Sequence, residues 1–421
     1  MSSRRSFLRR SAALPLGAAL PGLAVPGIAL AAPEPGAPPA VYDGALRGTA
    51  PISITDVDAF YVGAALFTRV RTSAGVTGWG EADRAGAGPR IVSSIIEDFE
   101  DRIVGRDLFD ADPLYTDLYF NADDMGRGGL VTSAISGIDL ALWDARGQVL
   151  GRPCYQLIGG AYRKQIPVYG SFTRDDGDNT PADMARIAAD YVDLGFKAVK
   201  ARMDIRQYNV DPVDDPTFEV VAAIRSEIGM DFPLYVDANN GYSAARAIEV
   251  GQRLRDEYNV SVFEEPVGYT NYEDHAEVAD ALDGIQIAAG EHEYTRWQFR
   301  DLIVRGRPDV VNPDLLRAGG LTEGRHIAAL CSAFDLPIAV HSTRPTLGTA
   351  AHLHYVASVL RADRPQEHPH PTKAESLWDL FENRTAYADG FITLPEAPGL
   401  GLRPKDGAIE AAAERYANRR R

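Results

Sequence analysis

The chain has 421 residues, with 45% hydrophobic and 24% charged residues and a formal net charge of −16 at pH 7. These values are ordinary for a globular protein, and the length suits a barrel with an accessory domain better than one small domain. The negative charge disfavours nucleic acids and anionic membranes as partners, and an anionic substrate would need local positive charge from a metal, lysine or arginine.

The first 32 residues have the pattern of an export signal. The run Ser3–Leu8 contains twin arginines, an apolar stretch follows, and Ala29–Ala31 supplies a small-residue cleavage site. Prolines at 15, 21 and 26 oppose the alternative of a membrane anchor. We expect a twin-arginine signal peptide over residues 1–32 and a linker over residues 33–49. The mature protein is expected to be periplasmic or extracellular and not bound to a membrane. Because the leader holds four arginines and no acid, the remainder carries −20.

The region after the linker begins with strand-like patterns and continues with helical ones. From about Ile52 to Glu81 polar and apolar residues alternate around a turn at Ser73–Val76. The clearest helical pattern runs from Ser133 to Asp144, where apolar residues recur at helical spacing. Strands followed by helices predict an α+β domain over residues 50–165.

After Pro167, short apolar runs alternate with amphipathic helices, predicted over Pro181–Leu194, Ala244–Tyr258 and Thr322–Phe334. This alternation indicates a parallel sheet, and seven or eight units indicate an α/β barrel over residues 166–384. The rival open sheet lacks support, because no Gly-x-Gly-x-x-Gly follows its first strand. The predicted strands are 167–170, 198–200, 234–237, 260–264, 285–288, 310–312 and 338–341.

Ionisable residues recur close behind these runs at intervals of about one strand-helix unit. Asp237, Glu264 and Glu291 are 27 positions apart, and Asp314 follows after 23. His341 comes 27 positions later and Glu367 another 26. Equivalent positions on successive strands meet at the C-terminal mouth of a barrel, where barrel enzymes carry their chemistry. The interval therefore predicts one shared site.

Asp237, Glu264 and Glu291 form the predicted metal site. Three carboxylates without cysteine or clustered histidine favour Mg²⁺, with Mn²⁺ as the alternative, over Zn²⁺. Without a cation the three charges would repel one another strongly, and the remaining alternative is a network of salt bridges.

Lys200 and Arg202 end the second predicted strand on one face, because they are two residues apart. Lys200 is a candidate base with a lowered pKa, or a clamp on a substrate carboxylate. Arg202 stays protonated and suits a bidentate clamp on the substrate. For either residue an ion pair within the barrel mouth is the alternative.

Asp314 and His341 follow the sixth and seventh strands and would be neighbours. An aspartate that binds one ring nitrogen fixes the tautomer of the histidine and raises its basicity, so the pair could move a proton. Glu367, on the expected eighth strand, could hydrogen-bond a developing enolate if it is protonated; otherwise it is a loop acid beside two histidines.

These segments resemble the enolase superfamily and, within it, the mandelate racemase subgroup, over nearly the whole chain after the leader. The resemblance implies a modified TIM barrel, (β/α)7β, with an N-terminal α+β capping domain to which residues 385–421 return. It also implies a homo-oligomer, and it selects Glu264 rather than Glu265 as the metal ligand. The matching segments are Gly75–Glu81, Ile138–Asp144, Val236–Asn239, Phe263–Pro266, Ala289–Glu291, Asn312–Asp314 and Val340–Ser342.

The resemblance implies that the protein removes the proton alpha to a carboxylate through an enediolate stabilised by the metal. Racemases of the subgroup carry Lys-x-Lys on the second strand, whereas this chain has Lys200-Ala201-Arg202. The arginine disfavours two-base racemisation and leaves His341 as the base. We therefore expect a Mg²⁺-dependent dehydratase that eliminates the 3-hydroxyl of an aldonate or aldarate to give a 2-keto-3-deoxy acid.

Three residues are predicted to bind the substrate: Arg202, Asn239 and His292. The stretch Glu291–Arg296 is similar to L-rhamnonate dehydratase-like members, which supports a sugar acid, although His292 could instead support its neighbours. The alternatives are a racemase, epimerase or cycloisomerase of the same superfamily, and an exported sugar-acid binding protein without catalysis.

Overall fold

The computed structural model describes residues 51–63, 65–83, 89–173, 180–370 and 375–418. The predicted signal peptide and linker lie outside these residues, so both stay predictions. Within the described residues, no helix has the length and apolar character needed to cross a membrane.

The N-terminal region opens with an antiparallel sheet of three strands, β1 (Ile54–Val62), β2 (Ala65–Thr72) and β3 (Thr77–Ala82). Gly75 makes the predicted turn between β2 and β3 with φ of 73°, which favours glycine. The following helices are α1 (Pro89–Asp98), α2 (Glu100–Ile103), α3 (Ala111–Phe120), a 3₁₀ turn (Asp123–Met125), α4 (Leu130–Leu150) and α5 (Cys154–Leu157).

Helix α4 joins this region to the barrel. It packs closely against β3, since a Cβ placed on Gly78 would lie 2.1 Å from the carbonyl oxygen of Ala141. On its other side, the Trp143 indole donates to Thr322 Oγ1 over 2.9 Å, and Asp139 accepts from the Thr322 backbone amide over 2.9 Å. The helix is therefore buried on more than one face, which explains its long apolar pattern.

The second sheet is a parallel barrel, which confirms the predicted modified TIM fold. Its strands pair in chain order and the last strand returns to the first, since Glu367 pairs with Tyr169. The strands are β4 (Gln165–Thr173), β5 (Ala198–Arg202), β6 (Leu234–Asp237), β7 (Val262–Glu264), β8 (Gln286–Ala289), β9 (Val310–Val311) and β10 (Gln366–His368).

The predicted strand over residues 338–341 is reduced to a bridge between Ile338 and Val311. On its other side the Gln366 side chain takes the place of a backbone partner, accepting from the Val340 amide over 2.9 Å and donating to the Ile338 carbonyl over 3.1 Å. The barrel is thus closed at this position by a side chain.

Helices cover the barrel, and two begin where the sequence predicts. Thr180 caps the helix Pro181–Asp193 with a reciprocal capping box to Asp183, and Ser243 caps the helix Ala244–Tyr258. The third predicted helix begins two residues early, at Gly320. The set is α6 (Pro181–Asp193), α7 (Thr217–Ile228), α8 (Ala244–Tyr258), α9 (Tyr272–Ala281), α10 (Arg296–Asp301), a π turn (Leu302–Gly306), α11 (Leu315–Ala318), α12 (Gly320–Ala333), α13 (Leu347–Ala357) and α14 (Glu375–Trp378).

The C-terminal segment runs back across both regions. Strands β11 (Ala386–Ala388) and β12 (Phe391–Thr393) form a hairpin, and β12 pairs antiparallel with β4. The final helix, α15 (Ala408–Asn418), reaches the N-terminal sheet, where Tyr416 packs edge-on against Tyr61 and Glu410 binds Arg69. The domain boundaries given above stay predictions.

Candidate active site

The predicted site residues meet at the C-terminal ends of the barrel strands. Arg202, Asp237 and Glu264 are register partners on the adjoining strands β5, β6 and β7. Glu291 lies two residues beyond β8, after Gly290, whose φ of 134° turns the chain. The regular strand spacing thus brings the three predicted metal ligands to one level of the barrel.

Asp237, Glu264 and Glu291 each present an oxygen within 4.8 Å of the others, and all three are buried. Burial raises the pKa of Asp237 to about 7 and holds the pKa of Glu264 well above its usual range, although Lys200 opposes both shifts. The three carboxylates would repel one another if all were ionised without a counter-charge. Three such hard oxygen donors fit a divalent cation such as Mg²⁺.

Lys200 is inside this cluster, 1% exposed. Its Nζ donates to Glu264 Oε1 over 2.6 Å and lies 3.3 Å from Glu367 Oε1 and 3.9 Å from Asp237 Oδ2. Burial alone would lower the pKa of Lys200, but Glu264 and Glu367 outweigh it and hold that pKa well above its usual value. The pKa of Lys200 is thus shifted in the direction opposite to that expected for a base, because the carboxylates stabilise the ammonium ion, and its catalytic role stays a prediction.

Glu367 faces Lys200 from β10. Its Oε2 accepts from the Ser342 amide over 2.7 Å. Burial would raise the pKa of Glu367, but Lys200, His341 and this amide lower it. The protonated state that a hydrogen bond to an enolate requires is thus disfavoured, and the geometry makes Glu367 an ion-pair partner of Lys200.

Arg202 and Asn239 both contact Asp237. The Arg202 Nε lies 3.6 Å from Asp237 Oδ2, and its side chain lines the open cavity. Asn239 is buried and makes two hydrogen bonds to Asp237. Its backbone amide donates to Oδ1 over 2.8 Å, and its side-chain Nδ2 donates to Oδ2 over 2.9 Å. These hydrogen bonds give Asn239 a positioning role, and its contact with substrate stays a prediction.

The predicted dyad is formed. His341 Nδ1 lies 2.8 Å from Asp314 Oδ2, and His341 Nε2 lies 3.4 Å from Glu291 Oε2. Burial would lower the pKa of His341, but Glu291, Glu367 and the hydrogen bond to Asp314 raise it. For Asp314, the nearby His341 and His352 (whose Nε2 lies 3.5 Å from Asp314 Oδ1) overcome burial and hold its pKa well below the usual value. An ionised Asp314 thus orients a basic imidazole toward the metal ligands.

His292 also lines the cavity, beside Glu291. Its Nδ1 lies 2.6 Å from Glu265 Oε1, and its ring stacks on Tyr269 with the centroids 4.6 Å apart. Burial would lower the pKa of His292, whereas Glu265 raises it. One ring nitrogen is thus engaged by Glu265, and the other edge is left for the cavity.

Three arginines and an aspartate near the cavity were missed by sequence reasoning. The cavity has a volume of about 610 Å³, within the range of small-molecule sites. Arg206, Arg317 and Arg344 contribute to its lining, and Asp83 from the N-terminal sheet binds the last two. Only Arg317 carried a usable signal, since it is one helical turn after Asp314; the others lie on loops or in another domain.

Family comparisons match both regions. Residues 49–159 match the model described as the N-terminal domain of mandelate racemase / muconate lactonizing enzyme. Residues 183–408 match the model described as enolase C-terminal domain-like. The two matched ranges contain the small sheet and most of the barrel, respectively.

Individual relatives cover most of the chain. A D-xylonate dehydratase of Haloferax volcanii is 31% identical over 82% of this chain and 84% of its own length. A D-galactarolactone cycloisomerase of Agrobacterium fabrum is 30% identical over 78% and 85%. A mandelate racemase/muconate lactonizing protein from Paracoccus denitrificans, solved with magnesium, superposes with a TM-score of 0.78 at 31% identity, over 86% of this chain and 98% of that one.

Proposed function

The chain belongs to the mandelate racemase subgroup of the enolase superfamily, and from this premise we propose that it is a Mg²⁺-dependent sugar-acid dehydratase. The substrate is an aldonate or aldarate, which loses the proton alpha to its carboxylate and the 3-hydroxyl as water. The resulting enol tautomerises to a 2-keto-3-deoxy acid. The sugar-acid dehydratase relative supports this reaction class.

The His341–Asp314 dyad carries the proposal. Asp314 holds Nδ1, so Nε2 is the nitrogen that takes the alpha proton or gives a proton to the departing hydroxyl. Arg202 occupies the position at which a racemase would need a second base, and a guanidinium stays protonated. One base with an opposing cation favours elimination, because racemisation needs proton transfer on both faces.

The metal ligands in this proposal are Asp237, Glu264 and Glu291, whose donor chemistry fits Mg²⁺. When bound, the cation supplies a Lewis acid that makes the proton alpha to the carboxylate more acidic. Lys200 holds Glu264 in place, and Asn239 holds Asp237. Arg202 is close enough to this cluster to orient the carboxylate group of the substrate.

Product analysis tests the proposal. The protein is incubated with a panel of aldonic and aldaric acids with Mg²⁺, with EDTA, and as the His341→Asn variant. We expect a 2-keto-3-deoxy acid from at least one of them, abolished by EDTA and by the variant. If no acid in the panel gave a keto acid, or if the keto acid still formed in EDTA, the proposal of metal-dependent dehydration would be rejected.

Isomerisation is the second candidate, because one relative is a cycloisomerase. Such a reaction would leave the substrate with all its oxygen atoms. Exchange of the alpha proton with solvent deuterium, without loss of water, would favour it over dehydration.

We also propose that the protein is exported by the twin-arginine route and assembles as a homo-oligomer. The twin arginines of Ser3–Leu8 support export. Replacing Arg4 and Arg5 by lysine should leave the protein in the cytoplasmic fraction, and light scattering of the mature protein should give a multiple of the chain mass. An unchanged distribution, or the mass of a single chain, would contradict these two expectations.

A further inference from the structure

A second histidine contacts the dyad from helix α13. The Leu315 amide donates to His352 Nε2 over 3.0 Å, and the same nitrogen lies 3.5 Å from Asp314 Oδ1. The other oxygen of Asp314, Oδ2, is the one that His341 binds. His352 is only 3% exposed, so it reaches the dyad from the interior of the protein, through Asp314 and the residue that follows it.

The hydrogen bond from the Leu315 amide fixes the backbone of Asp314 itself. A peptide bond is planar, so the Leu315 N–H and the Asp314 carbonyl belong to one rigid group. The Asp314 carbonyl accepts from the amides of Arg317 and Ala318, over 3.0 and 2.8 Å. Since His352 accepts from the amide side, this peptide group is held from both edges, and the point from which the Asp314 side chain projects is held with it.

The Asp314 carboxylate depends on the same turn of the chain. Its Oδ1 accepts from the Leu316 amide over 2.8 Å, while its Oδ2 lies 2.8 Å from His341 Nδ1. The Leu315 amide is among the first of helix α11, and such amides have no partner within their own helix. The acceptor that His352 supplies therefore keeps this turn in the position from which Asp314 reaches His341.

Helix α13 gives His352 a rigid support. All residues of this helix are buried. Its first turn is tied to the N-terminal sheet, since the Gly348 amide donates to Glu81 Oε2 over 2.9 Å. A side chain on a buried and anchored helix has already lost most of its freedom, so it holds a partner in place at little further cost in entropy.

We propose that His352 is a positioning residue, which holds Asp314 in the orientation that the dyad requires. This inference rests on the proposed function, in which the dyad moves the proton. His352 acts through the Asp314 peptide group and not on the substrate. His341 thus depends on two partners in succession, Asp314 directly and His352 behind it.

Helix α13 also offers a matched control. His354 is likewise buried and accepts a backbone amide, that of Tyr155 on α5, over 3.3 Å. His352→Leu and His354→Leu each remove one buried imidazole and leave one amide without its acceptor, so both should lower Tm. Only His352→Leu should also lower kcat, roughly 10- to 100-fold with KM little changed, because a displaced catalytic group slows the chemical step. If both variants lost kcat alike, or neither did, the inference would be overturned.

Two further variants separate positioning from general stability. In His352→Gln the side-chain oxygen can accept from the Leu315 amide, so most of the lost kcat should return. In the Asp314→Asn background, His352→Leu should lower kcat much less than in the wild type, because the two residues act through one group. Losses that simply multiply in the double variant would contradict a role through Asp314. If His352→Leu does not fold, His352→Asn replaces it, since its shorter side chain withdraws the acceptor.

Proton NMR tests the dyad without turnover. The proton between His341 Nδ1 and Asp314 should give a resonance far downfield, assigned by its loss in His341→Asn. We expect His352→Leu to move this resonance upfield or broaden it, and His354→Leu to leave it in place. An unchanged resonance in His352→Leu would overturn the inference. If the wild type forms no keto acid from any acid in the panel, the dehydratase proposal fails, and the resonance still decides the role of His352.

Discussion

The two ends of the cavity differ in what holds their side chains. At the metal end, Asp237 and Glu264 are the last residues of β6 and β7, and Lys200 is within β5. At the Asp83 end, Asp83 directly follows β3, Arg317 lies on α11, and Arg344 lies on the loop after residue 341. Strands of a parallel barrel repeat regularly, whereas contacts between a loop and another domain follow no period in the sequence.

This difference suggests that the two ends contribute differently to the chemical step and to substrate binding. The metal end holds carboxylates around a buried ammonium ion, which suits one fixed chemical step. The Asp83 end holds two arginines anchored through a neighbouring domain, and one of them, Arg317, also lies 3.5 Å from Glu291 Oε1 and 3.6 Å from Asp314 Oδ2. Substitutions at the first end should therefore reduce kcat, and substitutions at the second should act on KM or stability.

Glu264→Gln should give the largest effect, at the metal end. The loss of one charged ligand should lower kcat by roughly 10³-fold or more. Mg²⁺ should also stabilise the wild-type protein against heat, by about 2.7 kcal/mol at a hundred times its Kd, and should not stabilise the variant. Glu277→Gln, on the exposed face of α9, is the control. Full activity in Glu264→Gln would show that the three carboxylates are not the metal site.

His341→Asn should be next, with a loss in kcat of roughly 10² to 10⁴, the usual worth of a general acid-base group. Asp314→Asn should also reduce kcat, because the imidazole loses its orienting carboxylate. The chain offers a matched control in His326→Asn, since His326 binds Asp112 over 2.8 Å outside the candidate site. Steady-state rates distinguish the two histidine–aspartate pairs, and equal losses in both would mean that the effect is structural.

Asn239→Ala should give an intermediate effect that sharpens the comparison. The substitution removes the hydrogen bond from Nδ2 to Asp237 Oδ2 and keeps the one from the backbone amide to Oδ1, so Mg²⁺ affinity should fall roughly 10- to 100-fold. Activity should recover at high Mg²⁺, which a titration of rate against Mg²⁺ would reveal. Asn209 is exposed, so Asn209→Ala is the control and should not change the dependence of the rate on Mg²⁺. A loss that excess Mg²⁺ does not restore would instead support direct contact between Asn239 and the substrate.

The sequence predicted the barrel and the metal-end geometry for one physical reason. Each strand is short, apolar and followed by a helix, so the interval of 27 residues between Asp237, Glu264 and Glu291 corresponds to one unit of the fold. The same regularity placed His341 beside Asp314. It extended even to residues 338–341, where no full strand forms but the side chain of Gln366 closes the gap.

The protonation states could not be predicted from spacing. Lys200 was expected to be either a base with a lowered pKa or a clamp on the substrate, but Glu264 lies within 2.6 Å of it, and the nearby carboxylates outweigh desolvation and raise its pKa. For Glu367 two alternatives were open, and the protonated one is disfavoured because Lys200 and His341 lower its pKa. Distances between side chains on non-adjacent strands decide these signs, and no sequence interval contains them.

Asp83→Asn should have the smallest effect on turnover and the clearest effect on stability. The substitution weakens the hydrogen bonds to Arg317 and Arg344, so the free energy of unfolding should fall by roughly 1–3 kcal/mol. Because the side chain contacts no metal ligand directly, kcat should change less than about tenfold, far less than in Glu264→Gln. Urea unfolding and steady-state rates measure the two quantities, with exposed Asp98→Asn as the control. A loss of kcat as large as that of Glu264→Gln would break the separation between the two ends, since it would mean that Asp83 sets the position of the reacting groups through Arg317.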